Sequence, residues 1–153
     1  MSLQNYYDFA ENDRMFIMAA HQNGMVYNSM CSLAQKVCER YLKHYIEKYY
    51  IPEDEASRDR AAEVMRAHSL TKLERFLRDA MEIDVDEATH NAIRDVNGYY
   101  YETSYPGEDS FFVNERDIEI AVAAMTKCKE FIDRLIVERD GHDELESGDD
   151  IER

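Results

Sequence analysis

The residues best suited to chemistry gather at three points of the chain. In Tyr99-Tyr100-Tyr101-Glu102-Thr103-Ser104-Tyr105-Pro106-Gly107, four tyrosines stand beside a Pro-Gly pair. Each phenol offers a face that can stack on a base and a hydroxyl that can bond a phosphate. Proline forces Tyr105 out of the α region and glycine lets the chain turn, so the phenols are expected at a helix exit. Tyr99 is expected to pack in the core, which leaves Tyr101 and Tyr105 as the ligand candidates. The second point is Gln35, Glu39 and Lys43, a polar row at four-residue steps. Lys43 is its best phosphate ligand, although Glu39, one turn away, can pair with it. The third is His68, just ahead of a helix. A catalytic role there needs a partner base or phosphate ligand that the sequence does not identify.

Asp84, Asp86 and Glu87 with His90 lack the glycine and terminal glutamate of a calcium loop, so they read as acids at a helix start, and no metal is expected. Met15, Met18, Met25 and Met30 read as core and interface filler.

These groups must be carried by helices. Two prolines and five glycines in 153 residues leave few turns, and Leu, Met, Ala, Glu, Lys and Arg are frequent. A first helix is expected from about Leu3 to His21, with Tyr6, Phe9, Phe16 and Ala20 on one face, ended by Asn23-Gly24. Val26, Met30, Leu33, Val37, Tyr41 and Tyr45 mark the second, from about Gly24 to Tyr50, stopped by Ile51-Pro52. Pro52 with Glu53, Asp54 and Glu55 reads as the start of a short polar helix to about Arg66. Thr71 with Glu74 has the spacing of a capping box for a segment ending near Ile83, and Asp84 with Glu87 offers another. From there helical spacing continues through Val96 and Tyr99 into the tyrosine run. Asn114 can cap a last long helix with the stripe Ile118, Ala121, Met125, Cys128, Ile132 and Leu135. The expected fold is all-α, an antiparallel up-and-down bundle of about five helices. Residues 1–138 form its single domain and 139–153 an acidic, unfolded tail.

With 33 acidic against 18 basic residues, a net charge of −15 argues against non-specific nucleic-acid binding, which requires clustered cations. Cys31, Cys38 and Cys128 form no CxxC pair, which favours the reducing cytoplasm. No apolar run approaches the roughly 20 residues that span a bilayer, and no secretory leader is evident.

Three blocks, in order, resemble the HEPN family of helical domains, named for higher eukaryotes and prokaryotes nucleotide binding. Ala34-Gln35-Lys36-Val37-Cys38-Glu39-Arg40-Tyr41-Leu42-Lys43 is similar to the family's second-helix signature, Ala-Gln-Gln followed by Glu-Lys-x-Leu-Lys. Ala67-His68-Ser69-Leu70, followed by Leu73, resembles its His-Ser/Asp-Leu helix start, and the tyrosine run its Tyr-x-x-Thr-Arg-Tyr-Pro segment. The resemblance spans roughly Tyr6 to Ile136. It implies a helical bundle, commonly dimeric and often produced beside a minimal nucleotidyltransferase. It also implies a cleft with Gln35, Glu39, Lys43, His68, Tyr101, Ser104 and Tyr105 as ligand-binding residues, and a nucleotide or RNA as ligand. Ser104 stands where the pattern has arginine, and a short hydroxyl replaces neither the charge nor the reach of a guanidinium.

Many members of that family are ribonucleases that use an arginine, four to six residues, then a histidine, to stabilise phosphate charge and move a proton. Arg14 and His21 are the one clean match, but they fall in the first helix rather than where the family carries the motif. Arg40 with His44, and Arg66 with His68, are too closely spaced. The leading expectation is a module that binds a nucleotide-like ligand or a nucleotidyltransferase partner. The alternatives are a metal-independent endoribonuclease of toxin type, acting through Arg14 and His21 or through His68 with Lys43, and a ligand-free helical homodimer.

Overall fold

The computed structural model describes residues 4–151, with side chains placed for all of these except 100, 101 and 143–151. Every regular element among them is a helix: α1 Tyr6–Gln22, α2 Asn28–Tyr49, α3 Glu55–Arg66, α4 Leu70–Asp79, α5 Glu87–Val96, α6 Tyr99–Ser104 and α7 Glu115–Ile151. The chain is therefore all-α, with seven described helices where about five were expected.

Six of these helices correspond to the segments read from the sequence, and the seventh comes from the tyrosine run. The expected continuation of α5 into Tyr99 fails because the chain breaks at Asn97-Gly98, where Gly98 takes φ +100, a conformation that L side chains rarely adopt. The tyrosines then open a helix of their own.

Helix starts follow side-chain oxygens that accept otherwise unpaired backbone N–H groups, and three of these caps differ from expectation. Asp54 caps α3 by accepting from Ser57 N–H at 2.7 Å, so Pro52 precedes the helix and does not begin it. Ser69 caps α4 through Lys72 N–H, and Asp86 caps α5 through Thr89 N–H at 3.1 Å. Glu74 thus takes no part in a capping box with Thr71; it turns inward, where His90 Nδ1 lies 2.8 Å away and Arg78 pairs with it at 3.4 Å. The third expected partner, Asn114, does cap α7 and receives a reciprocal bond, with Asp117 N–H to Asn114 Oδ1 at 3.0 Å and Asn114 N–H to Asp117 Oδ2 at 2.9 Å.

Helix α2 is the centre of the molecule. It packs against α1, α4, α5, α6 and α7, and α7 also meets α5 and α1. Surrounded in this way, α2 buries residues on every side from Ala34 to Ile46, and not only along its expected apolar stripe. Val26 and Leu33 are only half-buried. The stripe of α7 is buried as expected, from Ile118 through Leu135. Fully covering a side chain such as Leu42 or Ile132 contributes about 1.5–3 kcal/mol.

The expected inner face of α1 is corrected. Ala10, Ile17 and Ala20 are buried, whereas Phe9 and Phe16 are 44% and 63% exposed. Small residues let α1 approach α2 closely, and polar groups fill the rest of the seam. The Tyr7 hydroxyl donates to Asp133 at 2.7 Å and accepts from Lys129 at 2.8 Å, while Glu11 accepts from Tyr41 and from Arg14. Burial acts to lower the pKa of the Lys129 ammonium, but its bonds to Asp133 and Tyr7 outweigh burial and raise it.

The backbone of α7 remains helical to Ile151, through the acidic segment expected as a tail. No helix among the described residues is long and apolar enough to cross a membrane. Cys31, Cys38 and Cys128 are buried free thiols.

Candidate functional site

Two distant parts of the sequence meet where the middle of α2 faces the turn between α3 and α4. Gln35, Glu39 and Lys43 lie on one line of α2 because residues four apart share a helix face. Burial there is nearly complete, at 2%, 7% and 4% exposure respectively. Each polar group consequently needs a partner. Gln35 Nε2 donates to the carbonyl of His68 at 3.1 Å, Lys43 Nζ donates to Glu39 Oε2 at 3.0 Å, and Glu39 Oε1 lies 3.2 Å from His68 Nδ1.

This arrangement decides what each group can do. The Lys43 ammonium, expected as a phosphate ligand, is enclosed and paired with Glu39. Gln35 fixes the His68 backbone. A carboxylate only accepts, so Glu39 selects the imidazole tautomer with the hydrogen on Nδ1, leaving the Nε2 lone pair outermost in the neutral ring. The His68 side chain is 64% exposed, and Nε2 has no protein partner among the described residues.

His68 opens onto a cleft of about 360 Å³ bordered by Gln35, Arg66, Ser69, Lys72, Asn97 and Gly98. Among the described residues that line it there is no Asp or Glu, although Glu102 Oε1 lies 3.3 Å from where a Cβ on Gly98 would stand. The walls come from three elements: the end of α3 gives Arg66, the first turn of α4 gives Lys72, and the α5–α6 break gives Asn97 and Gly98. Asn97 Oδ1 accepts from Leu70 N–H at 2.9 Å, which ties that break to the start of α4. Two permanent cations, a histidine and the positive end of α4 therefore face one cavity, a setting that favours an anion.

The remaining expected site residues lie elsewhere. Ser104, the last residue of α6, and Tyr105 after it are exposed and do not border this cleft. Their loop is tied to the start of α2: Asn28 Nδ2 donates to the carbonyls of Thr103 and Phe111, and Asn28 Oδ1 accepts from Val113 N–H. Asn28 and Gln35 are seven residues apart, about 10 Å along the helix axis. The side chain of Tyr101 falls outside the described residues. Tyr99 is 9% exposed and meets the Phe111 ring edge-on; burial pushes its phenol up to about 12, so it belongs to the core.

Arg14 and His21 are not brought to a common cleft. Arg14 is held by Glu11 at 3.4 Å in the seam between α1, α2 and α7. His21 lines a separate cavity of about 200 Å³ with Gly24, Val26 and Ile118. Asp86 and His90 are engaged as a helix cap and as the partner of Glu74.

The cleft residues that sequence reasoning missed are Arg66, Lys72, Asn97 and Gly98. Arg66 stands two residues before His68, too close for the ribonuclease spacing, and that spacing hides its place in the cleft wall. Asn97-Gly98 is a turn dipeptide that could have marked the break, but it was hidden within apparently continuous helical spacing. Comparison of the chain with protein-family models, curated proteins and solved structures finds no match.

Proposed function

We propose that this chain is a HEPN-like helical module, an antiparallel bundle that binds a nucleotide-like ligand in the cleft beside His68. The reading includes a cytoplasmic homodimer whose physiological partner is a minimal nucleotidyltransferase. The observation that carries it is the convergence of the Ala34–Lys43 and Ala67–Leu70 blocks: the polar row on α2 anchors His68 at the mouth of a cleft lined by Arg66 and Lys72. Phosphate oxygens would meet Arg66, Lys72 and the start of α4, with His68 and Asn97 left for polar edges of the nucleoside.

Calorimetric titration with adenosine, AMP, ATP and a short RNA tests this reading. Micromolar binding of a nucleotide, weakened about tenfold or more in His68→Ala and in Lys72→Gln, is expected. Binding weaker than millimolar for every ligand, or equal affinity in the variants, overturns the ligand reading and leaves the partner.

The hydrogen bond between Glu39 and His68 favours a second reading, an endoribonuclease in which Nε2 accepts a proton from a ribose hydroxyl and Arg66 or Lys72 steadies the phosphate. RNA cleavage in EDTA by the wild type, lost in His68→Ala and retained in His21→Ala, is its signature. Equal background in all three eliminates it.

A further inference from the structure

A second groove lies between α3 and α4, on the far side of Arg66 and Lys72 from the His68 cleft. Its volume is about 490 Å³. Helical spacing builds both walls. Arg60, Glu63 and Val64 lie along α3 with Ala67 just past its end, and Lys72, Arg75, Phe76 and Asp79 form the facing line of α4. Val64, Ala67 and Phe76 give an apolar floor, and the cations stand along the rims.

Carboxylates are abundant, and Arg14, Arg40, Lys43, Arg78, Lys127, Lys129 and Arg134 each hold one as an ion pair. Arg60, Arg66, Lys72 and Arg75 have no ion pair among the described residues, although Glu63 and Asp79 line the same groove. Four cations less two carboxylates leave an excess of two positive charges facing one cavity of a protein whose net charge is −15. An excess of like charge repels, which an incoming anion relieves.

We infer that the α3–α4 groove binds an oligophosphate group, a chain of two or three linked phosphates. Three of its four cations are arginines, whose planar forks match phosphate oxygens in pairs. The cations are spread over two helix walls, so a single phosphate cannot reach them all, whereas linked phosphates present dense charge along the groove. An acidic peptide would carry its charges farther apart and would have to order a flexible backbone. Arg66 and Lys72 border both cavities, so the phosphates of a nucleoside triphosphate held beside His68 would enter this groove. A free oligophosphate would occupy the groove alone, and the inference therefore does not depend on the nucleotide reading.

The test is calorimetry at low and moderate salt with orthophosphate, tripolyphosphate, ATP, adenosine and oligoglutamate. The proteins are the wild type, Arg60→Gln/Arg75→Gln and His68→Ala, with circular dichroism to show that the variants, all changed at exposed positions, remain folded. Tripolyphosphate is expected to bind at least about tenfold more tightly than orthophosphate or oligoglutamate, to lose about tenfold in the double variant, and to bind His68→Ala unchanged. ATP binding weakened by both variants identifies a nucleotide as the source of the phosphates; ATP no tighter than tripolyphosphate identifies the free oligophosphate. No binding of tripolyphosphate, equal binding in the double variant, or oligoglutamate binding as tightly overturns the inference. Adenosine or AMP binding under any of those results leaves the His68 cleft intact as a nucleotide site.

Discussion

Glu39 is the residue through which the interior holds the site, and its removal has a calculable cost. Its side chain is 10% exposed and that of Lys43 is 5% exposed, with 3.0 Å between the charged atoms. At an effective dielectric of about 20, their attraction is about 5.5 kcal/mol, most of which offsets the desolvation of both ions. Removing one partner leaves the desolvation cost without the attraction and typically costs about 3–5 kcal/mol. In Glu39→Gln the amide oxygen can still accept from Lys43 Nζ, so the lower end applies, about 3 kcal/mol. For a chain of this size that lowers Tm by about 6–12 °C. Urea unfolding should show a lower midpoint with an unchanged slope. In Glu39→Gln/Lys43→Met both charges are gone and an apolar side chain fills the space, so stability should return to within about 1 kcal/mol of the wild type; with each single variant costing about 3 kcal/mol, the coupling is about 5 kcal/mol. Single variants that each cost less than about 1 kcal/mol, with additive effects, would refute the claim that this pair is enclosed and mutually dependent.

Gly98→Ala places a Cβ at φ +100 and 3.3 Å from Glu102 Oε1, so it should cost about 1–2 kcal/mol in thermal unfolding and loosen the Asn97 wall of the cleft. Asn28→Ala removes three hydrogen bonds that hold the 105–113 loop, a loss of about 2–4 kcal/mol, and limited proteolysis should then cut within that loop before the helices. Burial, with Lys48 adding to it against Glu47 and Asp8, holds His44 below its ordinary value of 6.5. The unfolded chain then takes up the proton first, so this contribution to stability is complete above pH 6.5 and is lost as pH falls below it towards the lower folded value. His44→Leu should flatten the decline in urea midpoint through that window while leaving the loss at lower pH, where Asp86, depressed by its bonds to Thr89, becomes protonated.

Local rules carry far in this chain. The shortage of glycine and proline and the spacing of apolar residues determine an all-α fold, and the Asn114 cap and the stripe from Ile118 to Leu135 are readable because each depends only on neighbours within a few residues. Spacing on one helix likewise places Gln35, Glu39 and Lys43 in a row. Whether that row meets solvent, a ligand or another helix depends on what packs over it, which no local pattern encodes. Tertiary structure places α4 there, and so converts Lys43 from a candidate phosphate ligand into a buried partner of Glu39 and turns His68 outward. The same reason explains Phe9 and Phe16: their spacing marks a face, while the small residues Ala10 and Ala20 decide which face approaches α2. Arg66 and Lys72 stand six residues apart on different helices. Only the turn between α3 and α4 brings them to one cleft, and only the placement of the described carboxylates shows that none of those pairs with them.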